Sequence, residues 1–239
     1  MFRHKGKSRT WIHNLKLASL LSFVAGIVNV TGFFAVQKLT TNVTGHFAFF
    51  ADEVIKKNYS AALIYLLYIA SFFLGSFISS LLIEIMLRKN PRFMILIPVS
   101  IELTILTSIA LLAKNEVLEH PNLIACCLLL SMGLQNSLVT SISNSVVRTT
   151  HLTGLFTDLG IELSQIFFYN EEEQQERLKS SIKLRLAIIS FFFLGCFVGG
   201  YTYLLKGIAS LFLAVAFLLV GLFYDTIKFG VVTLKRKYW

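Results

Sequence analysis

Six apolar stretches of roughly 20 residues recur along this 239-residue chain, at 15–36, 60–87, 93–113, 123–142, 184–205 and 208–229. A helix of that length matches a hydrocarbon core of about 30 Å. The stretches leave few alternatives, because 55% of the chain is hydrophobic and only 15% charged, against about 25% charged in ordinary soluble domains. A soluble fold of this size lacks the polar surface to cover so much apolar area. The expected fold is an all-α polytopic membrane protein with one bundle and no separate soluble domain.

Two further segments, 40–55 and 151–169, are apolar but short or interrupted. The first carries Thr41, Asn42, Thr44, His46, Asp52 and Glu53, and the second carries Thr153, Asp158, Glu162 and Gln165. Sixteen residues of helix reach about 24 Å, short of a full crossing. Six full spans and two re-entrant or half-helical segments are therefore expected.

The net charge is +9, but the cations sit at the ends of apolar runs and not on any helical face. They orient the chain; nucleic acid is not an expected partner. With six spans, 17 of the 22 Lys and Arg residues fall on the side of the N-terminus. By the positive-inside rule both termini are then cytoplasmic. The first apolar run is too long for a signal-peptide core and lacks an A-x-A cleavage pattern, so it reads as a span. Cys126, Cys127 and Cys196 lie within apolar runs without a CxxC pattern and read as buried thiols.

An internal duplication organises the chain. Gly26 and Asn29 match Gly133 and Asn136 at an offset of 107, and Thr41, Thr44 and Gly45 match Thr150, Thr153 and Gly154 at an offset of 109. Residues 71–80 match 191–200 at an offset of 120, the larger step being absorbed by the acidic insertion around Glu171–Glu176. The boundaries implied are a basic cytoplasmic N-terminus (1–16), a first repeat (17–118), a second repeat (119–232) and a basic tail (233–239). Three crossings per half force the halves into opposite orientations, the inverted-repeat plan of many transporters. The two Thr-Gly segments would then enter from opposite faces and converge near the midplane. Gly75/Ser79 and Gly195/Gly199 are small residues four apart that let helices approach closely, and packing alone accounts for them.

These same residues, Asn42, Thr44 and Gly45 in one half and Thr149, Thr150, His151, Thr153, Gly154, Thr157 and Asp158 in the other, together with the Gly133–Asn136 run, resemble the YoaK-like family of small bacterial inner-membrane proteins. The resemblance covers nearly the whole chain. It implies a polytopic protein of the bacterial cytoplasmic membrane and supplies no substrate.

A short helix that begins inside a membrane presents free N–H groups and partial positive charge there. Two such ends form a site for an anion or polar solute. The candidate substrate-binding residues are Asn29, Thr41, Asn42, Thr44, Gly45, Gln135, Asn136, Thr150, His151, Thr153 and Gly154. Candidate coupling residues are Glu102, which is costly inside a span, with Asp52, Asp158 and Glu162. The competing reading of each Thr-Gly segment is an amphipathic helix lying on the membrane surface. His46 and His151 with nearby carboxylates are the only material for a metal site, and no dense ligand motif supports one. No cofactor and no catalytic residue is expected, since nucleophile-elbow and phosphate-loop motifs are missing from the sequence. The function expected is a secondary transporter for a small polar or anionic solute. A passive channel of the same plan and a non-transporting accessory or lipid-binding protein are the alternatives. Expected partners are a small solute or ion and the lipid bilayer, with homo-oligomerisation left open.

Overall fold

The computed structural model describes the backbone of residues 10–238 and the side chains of 10–91 and 93–224. The basic residues 1–9 and the side chains of the basic tail, both of which the sequence reading counts as cytoplasmic, lie outside the described residues. Among the described residues every regular element is helical: α1 (Trp11–Val36), α2 (Val43–Ile55), α3 (Tyr59–Lys89), α4 (Leu96–Ala110), α5 (Lys114–Glu119), α6 (Pro121–Ser143), α7 (Leu152–Gln165), α8 (Glu172–Lys206) and α9 (Leu211–Tyr238), with 3-10 turns at Pro91–Phe93 and Gly207–Ser210.

Among the described residues, four helical stretches are long and apolar enough to cross a bilayer: Trp11–Val36, Tyr59–Lys89, Pro121–Ser143 and Glu172–Tyr224. The last contains α8 and the start of α9, broken at Gly207, whose φ of +59° with ψ of −140° is a combination that favours glycine. Helix α4 is shorter than the apolar stretch that predicts it, at 15 residues or about 22 Å. Pro91 precedes it with a 3-10 turn, and the separate helix α5 follows it. The acidic insertion forms the first turns of α8, with Glu172 and Glu173 at the helix start where the dipole favours them.

The exposed faces are apolar. Leu63, Leu67, Phe73 and Phe77 on α3, and Phe193, Phe197 and Leu204 on α8, stand at 50% to 78% exposure. A continuous belt of this kind is a lipid-facing surface. The molecule is a helical membrane protein.

Relative helix directions follow from side-chain contacts. Gly26 lies against Phe192 and Cys196, Gly199 against Ile27 and Val30, and Gly200 near Phe34, so α1 and α8 run parallel. Tyr68 donates to Asn122 and Ser76 donates to the Gly133 carbonyl, so α3 and α6 are also parallel. Gln135 reaches the Leu21 carbonyl while Leu128 lies at Gly32, which makes α6 antiparallel to α1. Helix α9 returns beside α1, pairing Ser210 with Thr31, Phe217 with Phe23 and Tyr224 with Lys16.

Four glycines set the two tightest crossings. A Cβ on Gly26 would overlap the Phe192 carbonyl, and one on Gly195 the Phe23 carbonyl. One on Gly133 would overlap the Phe72 carbonyl, and one on Gly75 the Leu130 carbonyl. Exchanging Gly26 for Gly133 and Gly195 for Gly75 turns the α1–α8 crossing into the α6–α3 crossing. The same exchange relates two helix ends. Gln37 after α1 and Asn144 after α6, 107 residues apart, both adopt the left-handed conformation, at φ of 54° and 53°. Each turns its chain back toward the bundle instead of out of it.

Candidate functional site

The segments that follow these turns are the two Thr-Gly segments. After α1, the chain folds back until the Thr41 hydroxyl donates to Asn29 Oδ1 at 2.8 Å, seven residues before the end of α1. After α6, the Thr150 hydroxyl donates to Asn136 Oδ1 at 3.0 Å, again seven residues before the helix ends. At 1.5 Å per residue, each tip sits about 10 Å inside the end of its own helix. The preceding threonines are buried at both tips. Thr40 donates to the Val28 carbonyl at 3.3 Å, and Thr149 donates to Asn136 Oδ1 at 3.3 Å while Gln135 Nε2 lies 3.5 Å from its hydroxyl.

From these tips the short helices run back outward. His46 of α2 packs on Tyr68 and Phe49 on Tyr65, so α2 is antiparallel to α3 and returns to the end where α3 begins. Asp158 and Glu162 of α7 meet Arg185, and Glu162 also accepts from Ser181, so α7 is antiparallel to α8. The two tips thus enter the bundle from opposite ends. They are staggered and do not share one level. The Leu21–Gln135 and Gly32–Leu128 contacts place Asn136 near the level of residues 20–24, about 10 Å along the axis from Asn29. Fully buried Gln135 and Thr149 and the buried Thr31–Ser210 pair fill the bundle around these levels.

The tips differ in their surroundings. At α2, Asn42 caps the helix by accepting the Gly45 N–H at 3.1 Å. The His46 ring is 1% exposed, bonds the Leu39 carbonyl through Nε2 at 2.7 Å, and has an unpartnered Nδ1. Tyr65 and Tyr68 flank it, with Phe49 stacked on Tyr65 and Lys38 over the Tyr65 ring. At α7, His151 occupies the cap position without a side-chain cap hydrogen bond. Its ring lies instead over Gly154, and both line a cavity of about 480 Å³ with Arg148, Asp158, Ser181 and Arg185. Arg185 binds Glu162 through Nε at 2.8 Å and Nη2 at 2.9 Å, and Asp158 through Nη1 at 2.8 Å. Burial raises the Glu162 carboxyl pKa, but the Arg185 and Ser181 hydrogen bonds and the Arg185 charge more than reverse this, leaving it below the ordinary carboxylate range.

The remaining sequence candidates fall elsewhere. The Thr44 and Thr153 side chains are exposed on the first turns of α2 and α7, not at the tips. Asp52 forms an exposed pair with Lys56 at 2.5 Å on the outer part of α2. Glu102 is 1% exposed on α4, and its Oε1 has no hydrogen-bond partner. Gln135 Oε1 is likewise buried and unpartnered. Among the described residues, no three of the His, Cys, Asp and Glu side chains gather closely enough to hold a metal ion. The sequence reading missed Thr40, Arg148, Ser181 and Arg185. Thr40 and Thr149 extend the 109-residue offset by one position and were visible there. The i,i+4 spacings Asp158–Glu162 and Ser181–Arg185 align polar groups on facing helices, but only the antiparallel contact of α7 and α8 makes them partners.

No curated protein and no solved structure matches the chain. A family model described as "Protein of unknown function (DUF1275)" matches residues 17–224, which agrees with the resemblance to an uncharacterised family and does not carry the YoaK-like name. The match runs from the start of the first apolar stretch to the side of Tyr224 that packs on α1, so the chain belongs to the DUF1275 family.

Proposed function

We propose that the chain is a secondary transporter for a small polar or anionic solute, built as six spans and two re-entrant helices in two inverted repeats. In this reading the end of the bundle where α1 begins is cytoplasmic, as the Lys/Arg bias requires. The antiparallel placement of α1 and α6, each with its own Asn–Thr-anchored segment, supports the inverted plan. One observation carries the function: two equivalent helix tips, each anchored on an asparagine, enter from opposite ends and differ in their lining. The α7 tip borders a polar cavity with Arg148 and Arg185 on the cytoplasmic side, and the α2 tip is capped by Asn42 with the buried His46 packed on Tyr68. Paired half-helices in inverted repeats are the plan on which alternating access is built.

The uncapped N–H groups of α7, the His151 ring and the Arg148 guanidinium supply donors and positive charge, which favours an anionic or strongly polar solute. Glu102 supplies a buried carboxyl able to take up and release a proton as access alternates, which makes coupling to protons the expected energy source. The filled layer between the staggered tips favours alternating access over an open pore.

The test is solute-driven current on supported membranes carrying purified protein, scanned with small carboxylates, phosphate and uncharged polar solutes. A saturable response that falls at least ten-fold in Arg148→Gln, with His151→Ala similarly reduced, supports the reading. Folded protein that gives no saturable response across the panel, or one indifferent to both substitutions, overturns it. Dissipative flux that never concentrates the solute would instead assign a channel.

A further inference from the structure

A second cavity lies on the side of the bundle and has no part in this proposed pathway. Helices α1, α8 and α9 line a groove of about 860 Å³ toward the end where α1 begins. Its walls are Leu15, Leu20 and Phe23 of α1, Phe191 of α8, and Phe217 and Gly221 of α9. It opens sideways, toward the lipid in a membrane. At its outer end stand Lys16, whose Nζ lies 3.5 Å from the Tyr224 hydroxyl and 5.7 Å from the centre of that ring, and Tyr224 itself. Lys183 precedes the groove residues Ala187 and Phe191 by one and two helical turns on the same face of α8. Among the described residues, neither Lys16 nor Lys183 is in an ion pair.

The duplication provides an internal comparison. Ile97, Ser100, Ile101 and Thr104 of α4 stand 120 positions before Phe217, Val220, Gly221 and Tyr224, and they line a smaller groove of about 350 Å³. At the positions equivalent to Lys16 and Lys183 that half has Leu123 and Leu63. A lipid-facing groove is thus a product of the packing in both halves, and a cationic mouth is a feature of one half alone. Slack packing explains an apolar groove; it does not explain an ammonium group and a phenol in contact at one end of it, with a second lysine one turn from the groove on α8 and neither lysine in an ion pair among the described residues.

We propose that this groove holds one acyl chain of an anionic phospholipid, its phosphate bound by Lys16 and the Tyr224 hydroxyl with Lys183 adding charge. A phosphodiester accepts hydrogen bonds from both groups, and a headgroup without its own ammonium leaves the phosphate charge free to pair with the lysines. The tail replaces lipid-exposed void with contact along Phe23, Phe191 and Phe217. The proposal rests on insertion in a membrane and is independent of transport, so its test reads binding and not flux.

The experiment is native mass spectrometry of purified protein incubated with phosphatidylglycerol or phosphatidylethanolamine of identical chains. Wild type should retain phosphatidylglycerol at least five-fold better. The Lys16→Gln, Lys183→Gln double variant, which alters two exposed side chains, should bring the two lipids within two-fold of each other. Ser19→Leu, which fills the groove wall, should lower retention of both, with Gly221→Leu as a second filling variant if the first elutes aggregated. Ile101→Leu in the equivalent groove should change nothing. Equal retention of both lipids by wild type, or a preference that survives removal of both lysines, would overturn the assignment.

Discussion

Replacing Gly133 with alanine tests the helix crossings through one methyl group. In an unconstrained helix the change stabilises by about 1 kcal/mol, because alanine is the better helix former. At Gly133 the new Cβ meets the Phe72 carbonyl oxygen and carbon and the Ser76 nitrogen, which are backbone atoms that no rotamer change can move. Helices α6 and α3 must separate, and the layer around Gly75 and Leu130 loses its contact with them. Over-packing costs about 1–3 kcal/mol, and contact with fixed backbone atoms puts Gly133 at the upper end, about 3 kcal/mol, which leaves a net loss of about 2 kcal/mol after the propensity gain. At about 2–4 °C per kcal/mol for a chain of this size, the apparent Tm in mild detergent should fall by about 4–8 °C. The symmetry sharpens the expectation. Gly26→Ala, Gly75→Ala and Gly195→Ala meet equivalent carbonyls and should fall in the same range. Gly160→Ala, on the exposed face of α7 with nothing within 4 Å of the added methyl, should hold or gain stability. The assay is fluorescence-detected size-exclusion chromatography after heating. Gly133→Ala melting with wild type, or Gly160→Ala falling as far as the four, would refute the packing argument.

Further expectations concern the tips and their supports. Asn136→Ala frees both Thr149 and Thr150, and Asn29→Ala frees Thr41, so each should accelerate hydrogen exchange of its own first-turn amides at least ten-fold while leaving the other tip unchanged. Arg185→Met strands two carboxylates and should destabilise α7 docking by about 1.5–3 kcal/mol, read as exchange across residues 152–165. The Glu162 carboxyl is depressed in the folded state, so its contribution is present above the ordinary carboxylate pKa and is lost as pH falls through the lower folded value. Protection of α7 should therefore weaken only in acid, below about pH 4.3, and Glu162→Gln should flatten that response. Glu102→Gln should preserve the fold and solute exchange while removing dependence of uptake on a proton gradient, measured in proteoliposomes with and without an imposed pH difference.

Most of the helices were legible because membrane spans and short amphipathic segments carry strong, local hydropathy signals. Residues 15–36 and 123–142 emerge as α1 and α6 with shifts of a few residues at the ends. Helix α4 came out short because the 3-10 turn Pro91–Phe93 overlaps the start of the apolar run and the helix ends at Ala110, three residues before the run does. The duplicated Gly and Asn residues marked positions of real mechanical consequence. Gly26 and Gly133 allow the close crossings, and Asn29 and Asn136 anchor the tips. What spacing within one segment could not supply was the pairing across segments. Thr44 and Thr153 repeat as faithfully as Thr41 and Thr150, yet only the latter pair faces an asparagine. Arg185 sits at the edge of an apolar run and reads as an interfacial anchor until α7 is laid against α8.

The opposed entry of the two half-helices is tested most directly by thiol labelling from each side of the membrane. In a background with Cys126, Cys127 and Cys196 replaced, single cysteines are placed at Lys57, where α2 hands over to α3, and at Asn170, where α7 hands over to α8. A membrane-impermeant maleimide added to sealed cells should modify Lys57→Cys and spare Asn170→Cys, and inverted vesicles should give the reverse. Labelling of both positions from the same face would mean that the two segments enter together, and the paired, opposed tips would have to be abandoned.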